Sequence, residues 1–236
     1  GPNGAGKSTL MRTLVGLQQP LAGAVDLIGR NLQDFSPAEL ARQLSLVLTE
    51  RIDTSNLTAY SLVALGRYPY TGWSGRLSEA DERVVRWALT SVGAKALANR
   101  NMIELSDGER QKIMIARALA QEPKLIVLDE PTAFLDLPRR VELMQLLRQL
   151  ARETGRAILL STHDLDLALR SADRIWLLPT GGPLQAGAPE DLVLNGAFQQ
   201  TFADIEFESQ TGSFRLQPQP EGEIALVGQG LQALWT

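Results

Sequence analysis

The sequence predicts an α/β fold in which a mostly parallel β-sheet carries helices on both faces. Two features of the chain lead to this prediction. Short segments that are apolar throughout alternate with longer segments in which apolar residues recur at helical spacing, and such strands are typical of parallel sheets buried on both sides. Several apolar segments also end directly in polar or charged residues, and sheets of this kind bind their ligands at those strand ends.

Local signals define the elements in chain order. Ser36 and Glu39 form a capping box around Pro37, which predicts that a helix begins there. Gly16 and Gly155 follow two helical segments, where glycine commonly ends a helix. The other predicted helices cover residues 7–15, 59–65, 79–92, 107–120, 137–153 and 164–170, and residues 66–73 are predicted as a loop. The predicted strands cover residues 24–28, 44–48, 125–128, 157–160 and 175–178.

The composition excludes several kinds of site. The 236 residues contain no cysteine, which excludes a disulfide framework, a cysteine-ligated zinc site and a thiol nucleophile. The formal net charge of −4 offers no basic surface for nucleic acid. No apolar run of about 18 residues is present, so a protein partner would be needed to hold the chain at a membrane.

A phosphate-binding loop is predicted at residues 1–9, which match G-x-x-x-x-G-K-[ST]. Glycines at these positions let the backbone curl so that several N–H groups form an anion nest at a helix N-terminus. A glycine-rich turn without function would not need the Lys and Ser that follow the last glycine. Lys7 is expected to reach the β- and γ-phosphates of a nucleotide, and Ser8 to offer its hydroxyl to Mg²⁺. The predicted nucleotide-binding residues of the loop are Asn3, Gly4, Ala5, Gly6, Lys7, Ser8 and Thr9.

The chain is expected to be a fragment. A phosphate-binding loop normally follows a buried strand, and this sequence opens on the loop itself. The apolar run at residues 224–228 near the other end leads to the same expectation.

A second motif consists of two carboxylates after the apolar segment 125–128. Asp129 is expected to hold Mg²⁺ directly or through water, and Glu130 to accept a proton from the attacking water. Two solvated acids at a strand end are the alternative interpretation. The phosphate loop in the same chain favours the functional interpretation.

Three further segments make the chain resemble the ATP-binding cassette (ABC) proteins. Residues 105–111, Leu-Ser-Asp-Gly-Glu-Arg-Gln, resemble the family's LSGGQ signature, and residues 161–164, Ser-Thr-His-Asp, resemble its histidine switch. Asp136 matches the aspartate of the family's D-loop. With the two motifs above, the order and spacing agree from residue 1 to about residue 187. The resemblance implies a P-loop NTPase fold and an ATPase that uses ATP and Mg²⁺.

The resemblance also implies a head-to-tail pair of cassettes, with each ATP between one phosphate loop and the signature of the other copy. Ser106 precedes a predicted helix, so its hydroxyl and the helix N–H groups could bind a γ-phosphate in addition to capping the helix. Gly108 and Asp136 are the other nucleotide-binding positions implied by the resemblance. His163, the only histidine, is expected to bind the γ-phosphate or the attacking water; a purely structural role is the alternative.

The sequence departs from the family pattern at three places. Thr49 stands where the family has a glutamine that touches Mg²⁺, and Glu50 follows it, so either residue could take that role. Asp107 stands where the signature has glycine; because its charge would repel a γ-phosphate about 4 Å away, we expect it to point away from the nucleotide. The aromatic residue that stacks on adenine lies upstream of the loop in this family and cannot be assigned.

The resemblance divides the chain into a cassette at residues 1–187 and an appendage at 188–236. Few strand signals occur between residues 50 and 101, so a helical subdomain is predicted there within a core of 1–49 and 102–187. Alternating residues near 205–208 suggest a small β element in the appendage. A structural lid and a regulatory or dimer contact remain the alternatives for its role.

Residues 62–70 resemble the cassettes of importers for iron-siderophores, haem and cobalamin. The implied partners are a second copy, a membrane permease contacted through residues 50–75 and, indirectly, a substrate-binding protein. The implied location is the cytoplasmic face of a bacterial inner membrane. Tyr68, Tyr70 and Trp73 either form the surface for the permease or pack inside the helical subdomain.

A soluble ABC ATPase acting on nucleic acid or ribosomes is the alternative function. The insertion between Lys7 and Ser106 is short and contains no long coiled coil, only one cassette is visible, and the net charge is acidic, all of which favour transport. A cassette that binds ATP without hydrolysing it is disfavoured because Glu130 and His163 are both present.

Overall fold

Helices and strands alternate along the computed structural model, which describes residues 1–2, 4–48, 56–72, 75–202, 205–208 and 213–216. The α-helices are α1 (Lys7–Leu14), α2 (Pro37–Gln43), α3 (Ala59–Ala64), α4 (Glu79–Ser91), α5 (Asp107–Ala120), α6 (Leu137–Thr154), α7 (Leu165–Ser171), α8 (Pro189–Leu194) and α9 (Ala197–Thr201). The strands are β1 (Asp26–Leu27), β2 (Arg30–Asn31), β3 (Leu44–Val47), β4 (Leu125–Leu128), β5 (Ala157–Leu160), β6 (Ile175–Leu177), β7 (Gln185–Gly187), β8 (Ile205–Glu208) and β9 (Ser213–Leu216). Short 3-10 helices lie at Leu32–Asp34, Leu65–Tyr70, Lys95–Leu97 and Met102–Glu104.

The strands β3, β4 and β5 form a parallel sheet with β4 in the centre, which confirms the predicted fold class. The three strands are in register over their full length, so their carboxyl ends lie together at one edge. Ile126 and Leu128 pack into a core cluster with residues of α5 and α6. Val127, which points the other way, packs with Met11 and Val15 of the α1 region. Helices therefore cover both faces of β4, as its wholly apolar sequence predicts.

The strand β6 lies within the predicted segment 175–178 but does not join the parallel sheet in the described part of the chain. It pairs antiparallel with β7, with Ile175 opposite Gly187. The prediction that this strand belongs to the parallel sheet is therefore wrong. Trp176 is 44% exposed between the buried residues Ile175 and Leu177. This alternation is typical of a strand that is buried on one face only. Because tryptophan is itself apolar, the sequence did not show the alternation.

The helices α3 and α4 pack against α5 and share its core. The segment predicted as a loop at 66–73 instead contains the 3-10 helix Leu65–Tyr70. This short helix lies directly against the backbone of α5. A side chain on Gly66 would collide with the carbonyl oxygen of Arg117. Gly66 and Pro69 favoured a loop in the sequence, but here the glycine permits a close approach between two helices.

Near residues 205–208, where the sequence suggests a β element, β8 and β9 form an antiparallel hairpin. Its Phe214 ring lies 5.0 Å from the ring of Phe198 in α9. The helices α8 and α9 were not predicted. Their N-cap residues, Ala188 and Gly196, provide no side-chain cap, although Pro189 at the start of α8 is a helix-start signal. Within the described residues, none of the helices combines the length and the apolar character needed to cross a bilayer.

Candidate functional site

The predicted phosphate loop curls immediately before α1. Gly4 and Gly6 have φ angles of 78° and 91°, in the left-handed region that glycine adopts at little cost. Gly6 is the N-cap of α1, and among the described residues no side chain caps this helix and no acidic residue occupies its first turn. The first N–H groups of α1, including those of Lys7 and Ser8, therefore remain available to an anion, which the helix dipole also attracts.

The Lys7 ammonium lies over this loop. Its Nζ donates hydrogen bonds to the carbonyl oxygens of Gly1 at 3.0 Å and Pro2 at 3.1 Å. Ser8 and Thr9 are exposed in the first turn of α1, and Ala5 is held in the loop by an N–H bond to Pro2 of 3.3 Å. Asn3 lies outside the described residues, so its predicted role stays a prediction.

Asp129 and Glu130 follow β4 at the carboxyl edge of the parallel sheet. Asp129 is only 8% exposed, and its Oδ1 accepts a 2.6 Å hydrogen bond from the hydroxyl of Ser161. Glu130 adopts a left-handed backbone with φ of 44°, and its N–H donates to the same hydroxyl oxygen at 2.8 Å. The sheet therefore brings both carboxylates to the end of the neighbouring strand β5.

His163 lies two residues beyond Ser161, and its Nδ1 is 3.8 Å from Glu130 Oε1. About half of the His163 side chain is exposed, whereas the Glu130 side chain is mostly covered. The structure thus brings Asp129, Glu130 and His163 together at adjoining strand ends. A partly exposed imidazole beside a carboxylate can bind either a phosphate oxygen or a water molecule.

Ser106 is the N-cap of α5 and forms a capping box with Glu109. The Ser106 hydroxyl and N–H both donate to Glu109 Oε2, at 2.8 and 2.9 Å. The bonds from the Ser106 backbone and then from its hydroxyl lower the pKa of Glu109. The capping role is therefore established by these contacts. Because the single hydroxyl proton of Ser106 is engaged by Glu109, donation to a phosphate would require it to change partner.

Two other signature positions have clear surroundings. Asp107 is half exposed, and its carboxylate lies 3.6 Å from Arg110 in the first turn of α5. Gly108 lies against the side chain of Arg139, since a Cβ at Gly108 would be 2.8 Å from Nη1 of that arginine. Asp136 caps α6 by accepting the N–H of Arg139 at 3.1 Å.

The two described tyrosines of the segment that resembles importers have different environments. Tyr68 is 77% exposed. Tyr70 donates to the carbonyl oxygen of Gln121 at 3.0 Å, and its ring lies 3.9 Å from the guanidinium of Arg67. Burial, followed by the charge of Glu122, raises the pKa of Tyr70. Tyr70 therefore packs inside and Tyr68 faces outward, whereas Trp73 lies outside the described residues.

The residues present are suited to Mg²⁺ beside a nucleotide. The described residues contain no cluster of three or more His, Asp or Glu that could enclose a metal ion by itself. Magnesium at nucleotide sites keeps several waters and takes only one or two protein oxygens alongside the phosphates. The carboxylate of Asp129 and the hydroxyl of Ser8 meet that requirement. Thr49 and Glu50, the other expected ligands, lie outside the described residues.

Two residues were missed by the sequence reasoning as parts of this region. Ser161 contacts the carboxylate of Asp129 and the backbone N–H of Glu130, and Arg67 is a buried cation between helices. The position of Ser161 directly after an apolar strand, beside the strand that ends in Asp129, was the signal that could have revealed it.

Comparison with known proteins identifies the same family as the sequence motifs. The family model described as ABC transporter matches residues 1–133. The chain is 44% identical to an uncharacterized ABC transporter ATP-binding protein of Methanocaldococcus jannaschii over 222 residues, covering 93% of this chain and 77% of that protein. It is 40% identical to the achromobactin transport ATP-binding protein of Dickeya dadantii, covering 87% and 76%. It is 38% identical to the iron(3+)-hydroxamate import ATP-binding protein of Bacillus subtilis, covering 86% and 75%.

Comparison with solved structures identifies the same family. A dimeric structure of a bacterial ABC transporter cassette superimposes with a TM-score of 0.67 and 30% sequence identity. The match covers 80% of this chain and 82% of the cassette.

Proposed function

This chain belongs to the ABC transporter family, and on that premise we propose that its ATPase activity powers the import of an iron-siderophore complex, haem or cobalamin. The observation that carries the proposal is the convergence of Asp129, Glu130 and His163 at adjoining strand ends. The cargo class is supported by the residues at 62–70 and by relatives named for achromobactin transport and iron(3+)-hydroxamate import.

The loop at residues 1–9 binds the triphosphate of ATP in this proposal. Its N–H groups and the Lys7 ammonium hold the phosphates, and Asp129 and Ser8 would hold Mg²⁺, with Thr49 as the further expected ligand. Mg²⁺, when bound, neutralises charge on the β- and γ-phosphates. Glu130 takes a proton from the attacking water, and His163 orients that water or binds the γ-phosphate.

The working unit of the proposal is a pair of cassettes. Ser106 caps an exposed helix N-terminus that serves no phosphate of its own chain, so it would complete the ATP site of a second copy, together with Gly108 and Asp136. A relative with the same fold forms a dimer, which supports the pairing. A permease, contacted through residues 50–75 and the outward-facing Tyr68, would hold the pair at the cytoplasmic face of a bacterial inner membrane. A substrate-binding protein would supply the cargo from the other side.

We expect uptake of the cargo to depend on Lys7. A strain that lacks the protein is complemented with the wild type, with Lys7→Ala or with Lys95→Ala, and uptake of labelled ferric hydroxamate, haem and cyanocobalamin is measured. Lys7→Ala removes the cation that contacts the phosphates and should abolish uptake of one of these cargoes. Lys95→Ala removes an equal charge from an exposed position in the helical region and should restore uptake fully.

If none of the three cargoes depends on the protein, the cargo class is wrong even though the ATPase assignment stands. If salt-sensitive binding to RNA or DNA accompanies that result, the soluble ABC ATPase becomes the better interpretation.

Asp107→Gly should change ATP affinity and turnover by less than tenfold. The carboxylate pairs with Arg110 along α5, so we expect it to lie away from the phosphate and to contribute little repulsion. Both quantities are measured on purified protein, and Asp107→Asn serves as the control because it removes the charge without adding a helix-destabilising glycine. A gain of tenfold or more in both variants would mean that Asp107 points toward the nucleotide.

A further inference from the structure

We propose that Ser161 is a positioning residue that fixes Glu130 for proton abstraction and connects it to Asp129. This inference deepens the proposed function and rests on the role assigned there to Glu130. Ser161 has no contact with nucleotide in the proposal, because its one hydroxyl proton goes to Asp129 and its oxygen accepts the N–H of Glu130.

The backbone of Ser161 is anchored independently of its side chain. Ser161 follows β5 directly, and its N–H donates to the carbonyl oxygen of Leu128 at 3.0 Å. The residue is only 7% exposed. Its hydroxyl is therefore held at the point where β4 ends and the two carboxylates begin, and water has little access to compete for it.

The directions of the two hydrogen bonds follow from the groups involved. The Glu130 N–H can only donate, so Ser161 Oγ accepts that bond of 2.8 Å. The hydroxyl has one proton, which goes to Asp129 Oδ1 at 2.6 Å. The short O–H···O distance is typical of a bond to an ionised carboxylate. Ser161 thus joins the carboxylate of Asp129 to the backbone of Glu130, and the two bonds fix the orientation of its hydroxyl.

The backbone of Glu130 needs such a partner. Its φ of 44° is uncommon for a residue with a side chain, and conformations of this kind persist only where the surroundings enforce them. The N–H bond to Ser161 is a direct restraint on this peptide. His163, two residues further along the same segment, lies beside the Glu130 carboxylate at 3.8 Å. The segment after β5 therefore bonds the backbone of Glu130 and lies beside its side chain.

The consequence for turnover follows from the sensitivity of proton transfer to position. A displacement of about 1 Å at a reacting group can cost about 100-fold in rate. Loss of the Ser161 hydroxyl frees the Glu130 peptide and removes one hydrogen bond to Asp129, but it keeps the Asp129 carboxylate and the phosphate loop. The step that uses Glu130 should therefore slow strongly, whereas ATP binding should change little.

The test compares Ser161→Ala, Ser161→Thr and the control Ser45→Ala. Ser45 lies in the neighbouring strand β3, is 3% exposed, and its hydroxyl has no hydrogen-bond partner among the described residues. We expect Ser161→Ala to lower kcat about 10- to 100-fold with the KM for ATP and the affinity for a fluorescent ATP analogue within threefold. Ser161→Thr, which keeps the hydroxyl, should recover most of the loss, and Ser45→Ala should behave as the wild type.

A measurement without ATP tests the restraint itself. In ¹⁵N-labelled protein, amide exchange of Glu130 observed by NMR should accelerate at least tenfold in Ser161→Ala and stay unchanged in Ser45→Ala. In the Glu130→Gln background, Ser161→Ala should reduce the residual turnover less than twofold, because the two changes disable the same step.

Unchanged exchange of Glu130, or an equal loss of kcat and ATP affinity in Ser161→Ala, would overturn the positioning role while leaving the ATPase assignment intact. Absence of ATP turnover in the wild type would instead overturn the proposed function and this inference with it.

Discussion

Replacing Glu130 with Gln is expected to reduce ATP turnover by about 10²- to 10⁴-fold, the contribution of a positioned general base. Glutamine keeps the size and hydrogen-bonding capacity of the side chain but cannot accept the proton of the attacking water. ATP binding should persist, because the phosphate loop and Asp129 are unchanged. The expected product is a stable ATP-bound dimer, which light scattering after size-exclusion chromatography with ATP would detect.

The matched control is Glu153→Gln, which makes the same change on the exposed surface of α6, where the carboxylate accepts a 2.7 Å hydrogen bond from Gln149. It should leave turnover and oligomeric state unchanged. Wild-type turnover in Glu130→Gln would show that another group acts as the base. A crystal structure of the trapped protein with ATP would test the pairing directly. Ser106 remote from every γ-phosphate in that crystal would contradict the head-to-tail arrangement.

Sequence reasoning predicted the local structure of the site where that structure depends on a short run of residues. The glycines and Lys7 of the phosphate loop, the helix cap of Ser106 and the apolar strand before Asp129 are each encoded within a few positions, so their local structure could be predicted. The proximity of His163 to Glu130 also followed, because parallel strands end at one edge of a sheet.

The failures have a common physical cause, because they involve contacts between distant parts of the chain. The hydrogen-bond partners of the Ser161 hydroxyl, Glu130 and Asp129, lie 31 and 32 positions earlier in the sequence. The antiparallel pairing of β6 depends on β7 rather than on the apolar character of β6 itself. The burial of Arg67 was likewise not predictable from the segment that contains it, because arginine is rarely buried without partners.

Arg67 forms a buried network of hydrogen bonds and ion pairs that we expect to stabilise the fold. Its side chain is about 6% exposed, and it donates to Asp81 at 2.9 Å, to the carbonyl oxygen of Ala120 at 2.8 Å and to Glu122 at 2.6 Å. These contacts join the 3-10 helix Leu65–Tyr70, the start of α4 and the end of α5. The helix α5 also carries Ser106 at its other end, so Arg67 ties the predicted permease-facing segment to the helix that presents the signature.

Arg67→Ala should lower the free energy of unfolding by about 3–5 kcal/mol, the usual cost of removing one partner of a buried ion pair. Hydrogen bonds from the side chain and backbone of Ser78, and then Arg67, lower the pKa of Asp81. The bonds from Ser78 remain in the variant, so Asp81 stays ionised at neutral pH in a buried position without its counter-ion. Urea denaturation of the purified protein measures the loss, and Arg67→Lys should recover only part of it because an ammonium cannot reproduce the planar fork of donors.

Arg86→Ala is the matched control for this experiment, because Arg86 pairs with Glu82 on the exposed side of α4. Surface pairs of this kind contribute about 0–1 kcal/mol, so the control should unfold almost as the wild type does. A loss in Arg67→Ala no larger than that of Arg86→Ala would mean that α4 and α5 remain joined by apolar packing alone. In that case the buried cation would have to be explained by the coupling of the helical region to its partners rather than by the stability of the fold.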